Sequence, residues 1–563
     1  MTQTTQNWWM YHGSPAHGGN AGTGSALNSA SVASPAFTTL HTLKLQGSVL
    51  SVPAVVDGYI YVGVANSLTA PASNGGAFYK IDIAKGEIVN TFNWAIKAED
   101  RDTHGFTGMG CTPAIVDGKV YFSAFDGKLY CLNQADLTLV WVTDLRYADP
   151  AHNQPVNNDM GMDQGYPPAA GWSSPVVANG RVYVGMGEGE NPLLYGFVFC
   201  LDSQTGNVVW IYCTSLLQCD QDNPPNLLPA DTVRDGTLPV GFQVFSGQAV
   251  VRGCSVWSSI AYDAELNRLY CTTGNPQPDP STIPTLPTLG YSNGLLVLDA
   301  GTGKFRGFFQ ALPESNYRVS DTDVDVGGSP TLFQRQGKKV VGFGCKNGGY
   351  FILDADTLEL LSWRQLLPYD NDGNQLPTVD PHSSNSLLNQ RISNEDSNKV
   401  VGENYSGVFG TAAVDPISQR LFVGLGGPNY HTVAPGLDYT TTPFMRAIDI
   451  NSLHDAWPMD NSNPRRYANV GASMYTNPAE SALSSPAVVN DVVFCSTNKV
   501  SLYAFNVKDG SLLWSDDLGM QTEGYNGGYG YCIGPAIWGN YVVAGALVMG
   551  GDGGVLRIYG LPG

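Results

Sequence analysis

The 563-residue chain carries 29 Lys and Arg against 49 Asp and Glu, a formal net charge of −20 that leaves no basic face for nucleic acid or an anionic membrane. Only 14% of its residues are charged, while 66 are Gly and 35 are Pro, which suits many short strands joined by tight turns and argues against a helical protein. No apolar run approaches the roughly 18 residues that a membrane-spanning helix needs, so a soluble chain with no membrane span is expected.

From the start, residues 1–13 offer neither the charged n-region nor the apolar h-region of a secretory signal. Two readings stay open: a cytoplasmic protein, or a periplasmic one whose signal was removed and replaced by an initiator Met. A repeated phrase then runs along the chain. A small residue and Pro lead into an apolar run, a Gly turn and a second apolar run, followed later by an aromatic-apolar-Asp segment ending near Trp. It begins at Ser51-Val52-Pro53, Thr112-Pro113, Ser174-Pro175, Ser258-Ser259, Ser329-Pro330, Gly410-Thr411, Ser485-Pro486 and Gly534-Pro535, which makes eight copies. The unit is clearest over 173–210. Alternation on both sides of Asn179-Gly180 marks one hairpin, and 195–210 forms another, so each unit is a four-stranded sheet. One such sheet cannot bury both faces alone, whereas radial repetition does, and the expected fold is an all-β, eight-bladed β-propeller spanning residues 1–563 as a single closed domain.

Trp141, Trp210, Trp363 and Trp514, at the ends of blades, are expected to pack between neighbouring blades. The last run, Gly554 to Tyr559, has no downstream partner hairpin, and the segment Trp8-Trp9-Met10-Tyr11 is expected to close the ring beside it. Three inserts, at about 145–170, 215–250 and 366–408, are rich in Asp, Asn, Pro and Gly, and loops of that length tend to cover or shape a site. The ten cysteines include no C-x-x-C pair and no C-x-x-C-H haem site. Cys131, Cys200 and Cys271 read as small core filler, and Cys213 and Cys219 are spaced for a local disulfide.

Four stretches carry the residues of chemical interest. At 184–197 a strand exit presents Glu188 and Glu190, either a solvated acidic turn or a ligand pair. At 252–280, Trp257 precedes a strand at Leu269–Thr272 that Gly274 and Pro276 end abruptly, leaving the amide of Asn275 at the strand end. At 320–330, Asp321, Asp323 and Asp325 form an acidic run, which read alone is a solvated turn. At 345–350, Lys346-Asn347-Gly348 reads alone as a hairpin turn with an exposed Lys.

Taken together, the Trp257 segment, Thr273-Gly274-Asn275-Pro276, the acidic run and Lys346-Asn347-Gly348 resemble the quinoprotein alcohol dehydrogenases, which hold pyrroloquinoline quinone (PQQ) and a metal ion. The resemblance implies Trp257 as the floor under the quinone, with Ser173, Lys346 and Asn347 as further quinone contacts. It implies Glu190, Asn275 and Asp323 as metal ligands, with Asp325 where the lanthanide-using branch has an extra ligand, and Asp323 as general base beside the catalytic cation Lys346. Glu190, Asn275, Asp323 and Lys346 are expected in four successive blades, each facing the central channel from a strand end. Oxygen ligands of this kind suit Ca²⁺ or, alternatively, a lanthanide. The implied reaction is oxidation of a primary or secondary alcohol, small-molecule or polymer, with electrons leaving to an external acceptor such as a cytochrome or quinone. The alternative is a propeller of the same ancestry without cofactor, acting as a binding or assembly scaffold. The chain departs from the family where an adjacent Cys pair is found, since Gly108-Met109-Gly110-Cys111 has one Cys, and the Arg that follows that pair has no counterpart. The Trp257-Ser258-Ser259 and Thr273-Gly274-Asn275 phrases also resemble the polyvinyl-alcohol dehydrogenase branch.

Overall fold

The computed structural model describes residues 6–66, 75–95, 107–145, 171–187, 196–214, 252–277, 291–311, 326–346, 348–366, 407–426, 444–460, 463–468, 482, 484–497, 501–518, 534–546 and 554–562. Strands dominate, and they form eight antiparallel sheets arranged as the blades of a propeller. Blades 1 to 7 follow one another along the chain, with innermost strands Ala54–Val56, Ala114–Val116, Val176–Ala178, Ala261–Asp263, Thr331–Arg335, Ala413–Asp415 and Ala487–Val489. Blade 8 starts at Ala536–Trp538. Apolar residues of facing sheets form the core between blades, as where Tyr121, Val182 and Tyr183 of blades 2 and 3 join one cluster. The hairpin of blade 3 is a two-residue turn in which Asn179 and Gly180 take φ of 51° and 71°, the left-handed pair that matches strand twist.

The ring closes differently from the sequence expectation. The final strand, Gly554–Gly560, pairs along its length with Thr38–Leu45, which becomes the outermost strand of blade 8. Trp8 instead pairs with Val55 on the inner edge of blade 1. From there the N-terminal segment circles the channel. Carbonyls of Trp8, Trp9, Pro15, Ala16, Gly18 and Gly19 accept the N–H groups of Val55, Ile115, Tyr262, Leu332, Val414 and Val488, at 2.7 to 2.9 Å. Each donor is the second residue of an innermost strand, so one carbonyl serves each of six blades. The physical reason is that an innermost strand is a sheet edge whose N–H groups face a channel and need acceptors. Two buried histidines pin this segment: His17 Nδ1 lies 2.8 Å from the Pro330 carbonyl, and the His12 ring lies 2.8 and 2.7 Å from the carbonyls of His17 and Pro486.

The repeated small residue before Pro has a definite role. The N–H groups of Thr112, Ser174, Ser259 and Thr411 donate to the hydroxyls of Ser174, Ser259, Ser329 and Ser485, each in the following blade. A belt of hydroxyls thus links blades where their innermost strands begin. Farther out, the indole N–H of Trp141 donates to Ser203, that of Trp210 to Ala300 and that of Trp457 to Val507, each a turn carbonyl of the next blade. Each ring also lies against a glycine there, Gly206, Gly303 or Gly510, at positive φ, where a Cβ would come within 2.6 to 2.7 Å of the indole. Trp514 bridges blades by packing edge-on against Tyr559. Trp363 stacks on Phe351 of its own blade and packs against the apolar cluster that joins blades 4 and 5, while Arg364 beside it donates to Leu453 of blade 6. Lys80 and Tyr270 serve the same bridging purpose from blades 1 and 4.

Most of the three inserts, together with Cys219, lies outside the described residues. Cys131, Cys200 and Cys271 are buried and unpaired by disulfides, as core filler requires. Among the described residues no helix is long and apolar enough to cross a membrane.

Candidate functional site

At the channel end where innermost strands begin and second strands finish, the belt register places Trp172, Trp257, Gly327 and Phe409 at equivalent positions, two residues ahead of Ser174, Ser259, Ser329 and Thr411. Blades 3, 4 and 6 therefore offer an aromatic ring here and blade 5 offers none. Gly327 leaves the gap that matters: a Cβ on it would sit 3.1 Å from Trp257 Cη2 and 3.6 Å from Lys346 Cγ. Into that gap comes Lys346, two residues beyond the strand Lys338–Gly344. Its Nζ lies 5.1 Å from the Trp257 ring centre and 5.2 Å from that of Phe409, and the two rings are 6.4 Å apart.

Lys346 is only 6% exposed, so the plain surface turn is ruled out. The turn itself is made by Gly348, at φ 87°, whose N–H donates to the Cys345 carbonyl. Gly407 then packs so tightly that a Cβ on it would lie 1.8 Å from the Lys346 carbonyl oxygen. Backbone approach from blade 6 thus fixes where the lysine emerges. Two aromatic faces offset part of the cost of burying its ammonium, each contributing about 0.5–2 kcal/mol.

Asn275 is 9% exposed, three residues beyond the strand Arg268–Thr272. Its loop is held from both sides: Gly274 N–H donates to Ser255, Cys254 N–H to the Asn275 carbonyl, and Asn293 N–H to Gly274. Cys254, two residues before Val256, sits at φ 52°, a conformation that costs a non-glycine residue on the order of 1 kcal/mol. The Asn275 Oδ1 accepts a hydrogen bond from Asn293 Nδ2 at 3.3 Å. Ser173 is buried in blade 3 and its hydroxyl accepts the N–H of Gly185 at 3.0 Å, which braces the second strand of that blade.

The structure therefore brings Trp257, Lys346 and Asn275 to one end of the channel, on blades 4 and 5. Glu190 follows the second strand of blade 3 in the chain and Asp323 precedes blade 5, so the four expected positions span three blades and not four. Glu188, Glu190, Asp321, Asp323, Asp325 and Asn347 lie outside the described residues. Among the described residues no group of three or more His, Cys, Asp or Glu side chains is placed to hold a metal. Sequence reasoning missed Phe409, Gly327 and Asn293. Aligning blades on the belt hydroxyl would have found the first two, since they share the register of Trp257. The N-terminal segment bonds Tyr262, five residues beyond Trp257 and on the order of 16 Å along an extended chain. Its Tyr11 hydroxyl reaches the belt, 2.9 Å from Thr411 Oγ1 and 3.1 Å from Ser485 Oγ.

What these residues fit is a flat, electron-poor, anionic ring: an indole face to stack on, an ammonium to meet a ring oxygen, and an amide oxygen for a hard cation. Residues 155–362 match a family model described as the glucose/ethanol/alcohol dehydrogenase β-propeller domain. Residues 19–252 and 467–544, more than half the chain, match a second PQQ-type model described as outer membrane protein assembly factor BamB. A quinohemoprotein alcohol dehydrogenase of Comamonas testosteroni is 27% identical over 366 residues, covering 62% of this chain and 46% of that one. A lupanine 17-hydroxylase [cytochrome c] of a Pseudomonas species is 24% identical over 56% of this chain and 41% of its own. The chain thus spans about half the length of the curated relatives it matches. Among solved structures, the Comamonas testosteroni quinohemoprotein alcohol dehydrogenase superposes with a TM-score of 0.69 at 18% identity, covering 99% of this chain and 81% of that one. A europium-containing methanol dehydrogenase gives 0.64 at 16% identity, covering 99% and 98%. At such identities these two structures speak for the fold.

Proposed function

Because this chain belongs to the PQQ alcohol dehydrogenase-like propellers, we propose that it is a quinoprotein dehydrogenase oxidising a primary or secondary alcohol and passing the electrons to an external acceptor. The observation that carries this reading is Lys346, drawn out of a hairpin turn into the channel mouth and held beside the Trp257 ring. When bound, PQQ would supply the two-electron acceptor for the hydride that leaves the alcohol carbon.

The protein's own residues supply the rest. Trp257 would offer its indole face to the ring, with Phe409 walling the side of the pocket. Lys346, buried beside that face, would hold a positive charge against the ring in a site screened from water, where such an interaction is stronger. Asn275 would give one oxygen to a Ca²⁺ or lanthanide ion, with Glu190, Asp323 and Asp325 assigned as its carboxylate partners. Asp323 takes the hydroxyl proton as the carbon loses hydride, leaving a carbonyl product. The relatives named as quinohemoprotein and cytochrome c enzymes support a cytochrome as acceptor, and with it the periplasmic of the two locations left open by the sequence.

Reconstitution tests this. Adding PQQ with Ca²⁺, and separately with La³⁺, should quench tryptophan fluorescence saturably and give dye reduction over a panel of alcohols. Both should fall in Lys346→Ala and in Asp323→Ala, since Asp323 is assigned to the ion as well as to the proton. Absence of binding with either ion overturns the enzyme reading. The match to the BamB model favours one second reading, a cofactor-free propeller that serves as a binding or assembly scaffold. In that case Lys346→Ala and Asn275→Ala would leave partner capture unchanged.

A further inference from the structure

The belt of hydroxyls is interrupted beside the pocket. Ser329 of blade 5 is buried, and its hydroxyl accepts the N–H of Ser259 from blade 4 at 2.9 Å. Among the described residues its own N–H makes no matching bond to Thr411 of blade 6, although Thr411 carries a hydroxyl that could accept it. That hydroxyl, on a residue 1% exposed, instead lies 2.9 Å from the Tyr11 hydroxyl, which is also 3.1 Å from Ser485 Oγ of blade 7. Tyr11 is held there from two sides. Its ring meets His17 edge-on at 4.9 Å and lies 6.0 Å from His12. His17 is tied to the carbonyl of Pro330, next to Ser329, and His12 to that of Pro486, next to Ser485. Leaving the N–H of a buried residue unused carries a cost that a belt bond at this seam would remove. The seam runs between Gly327 and Phe409, two residues ahead of Ser329 and Thr411, where Lys346 enters.

We propose that Tyr11 is a positioning residue for the pocket: by engaging the Thr411 hydroxyl it keeps the seam between blades 5 and 6 out of the belt, and so sets the 6.4 Å separation of the Trp257 and Phe409 rings around Lys346. This rests on the reading of that pocket as a quinone site. Without the Tyr11 hydroxyl, Thr411 accepts the Ser329 N–H, as the hydroxyls of Ser174, Ser259, Ser329 and Ser485 accept theirs. The blade 6 wall then draws toward blade 5, and a ligand entering the pocket has to break the new bond. One net hydrogen bond set against entry lowers apparent affinity by about 2- to 10-fold.

The test uses the full chain and two readouts: hydrogen exchange at the Ser329 amide in protein without PQQ, and tryptophan quenching by PQQ with Ca²⁺. Tyr11→Phe keeps the ring between the two histidines and should leave the propeller folded. It should slow exchange at Ser329 to the level of the Ser259 amide, which has its belt bond, and weaken PQQ binding about 2- to 10-fold. Thr411→Val removes the acceptor, so that variant alone should match wild type in both readouts. Combined with Tyr11→Phe it should restore wild-type exchange and wild-type affinity, a rescue that a general loosening of the fold would not give. Unchanged exchange at Ser329 in Tyr11→Phe overturns the proposal, as does slowed exchange with unchanged PQQ affinity, or a loss of affinity that Thr411→Val fails to reverse. Wild-type protein that binds no PQQ overturns the quinone reading instead, and exchange at Ser329 still decides whether Tyr11 holds the seam open.

Discussion

The pocket floor depends on what Gly327 lacks. A methyl group there meets Trp257 at 3.1 Å, close enough to tilt the indole by a few tenths of an ångström. Gly327→Ala should leave thermal stability within about 1 kcal/mol of wild type while PQQ affinity falls, as fluorescence titration would read. Trp257→Ala removes the stacking face and should cost about tenfold or more in the same titration. Lys346→Ala should lower kcat/KM by about 10²–10³, the range seen when one charge-stabilising donor is removed. Trp257, Asn275 and Lys346 were legible because each sits beside a strand end with a recognisable neighbour phrase. Phe409 was not, since Phe409-Gly410-Thr411 carries no local signal and gains meaning only when its blade is set beside blade 4. Asn293 was invisible for a different reason: its role is a contact with Asn275 across 18 residues of chain.

Blades owe their cohesion to two kinds of bridge. Trp457→Ala removes a ring 2% exposed and its bond to Val507, and should destabilise by about 3–5 kcal/mol in denaturant unfolding. Ser259→Ala strands the buried N–H of Ser174 without its acceptor and should cost about 1–3 kcal/mol, with blades 3 and 4 losing amide protection first. The repeat itself was readable, since alternation and turn residues are local properties of each hairpin. Which bulky residue spans to the next blade was less so. A Trp late in a blade marks the right neighbourhood, yet blade 5 uses Arg364 beside Trp363, and blade 6 places Trp457 beyond a strand that the sequence pattern ends at Ile450.

For the molecule as a whole, the circling N-terminal segment makes stability depend on pH. Burial pushes the His17 imidazole down to about 3, and His12 is shifted in the same direction by the same cause. Unfolded, a histidine titrates near 6.5, so between those values the unfolded chain binds the extra proton. The stability that His17 contributes is complete above about pH 6.5 and is lost as pH falls toward 3, by at most about 1.4 kcal/mol per pH unit. Urea midpoints at pH 4.5 and 7 should differ accordingly, and His17→Gln should flatten the difference. Nothing local in the sequence announces this circling segment, because backbone carbonyls perform its work and side-chain patterns do not record them.

The pairing of Thr38–Leu45 with Gly554–Gly560 also has a temporal side. A ribosome releases the first of these strands about 500 residues before the second, which at 5–20 residues per second is about 25–100 s. Throughout that interval the nascent chain holds an outer strand with no sheet to join, and its early blades present open edges to any other polypeptide nearby. Chaperone dependence during translation, and aggregation of chains that stall before the last blade, are the cellular signature that this closure leads us to expect.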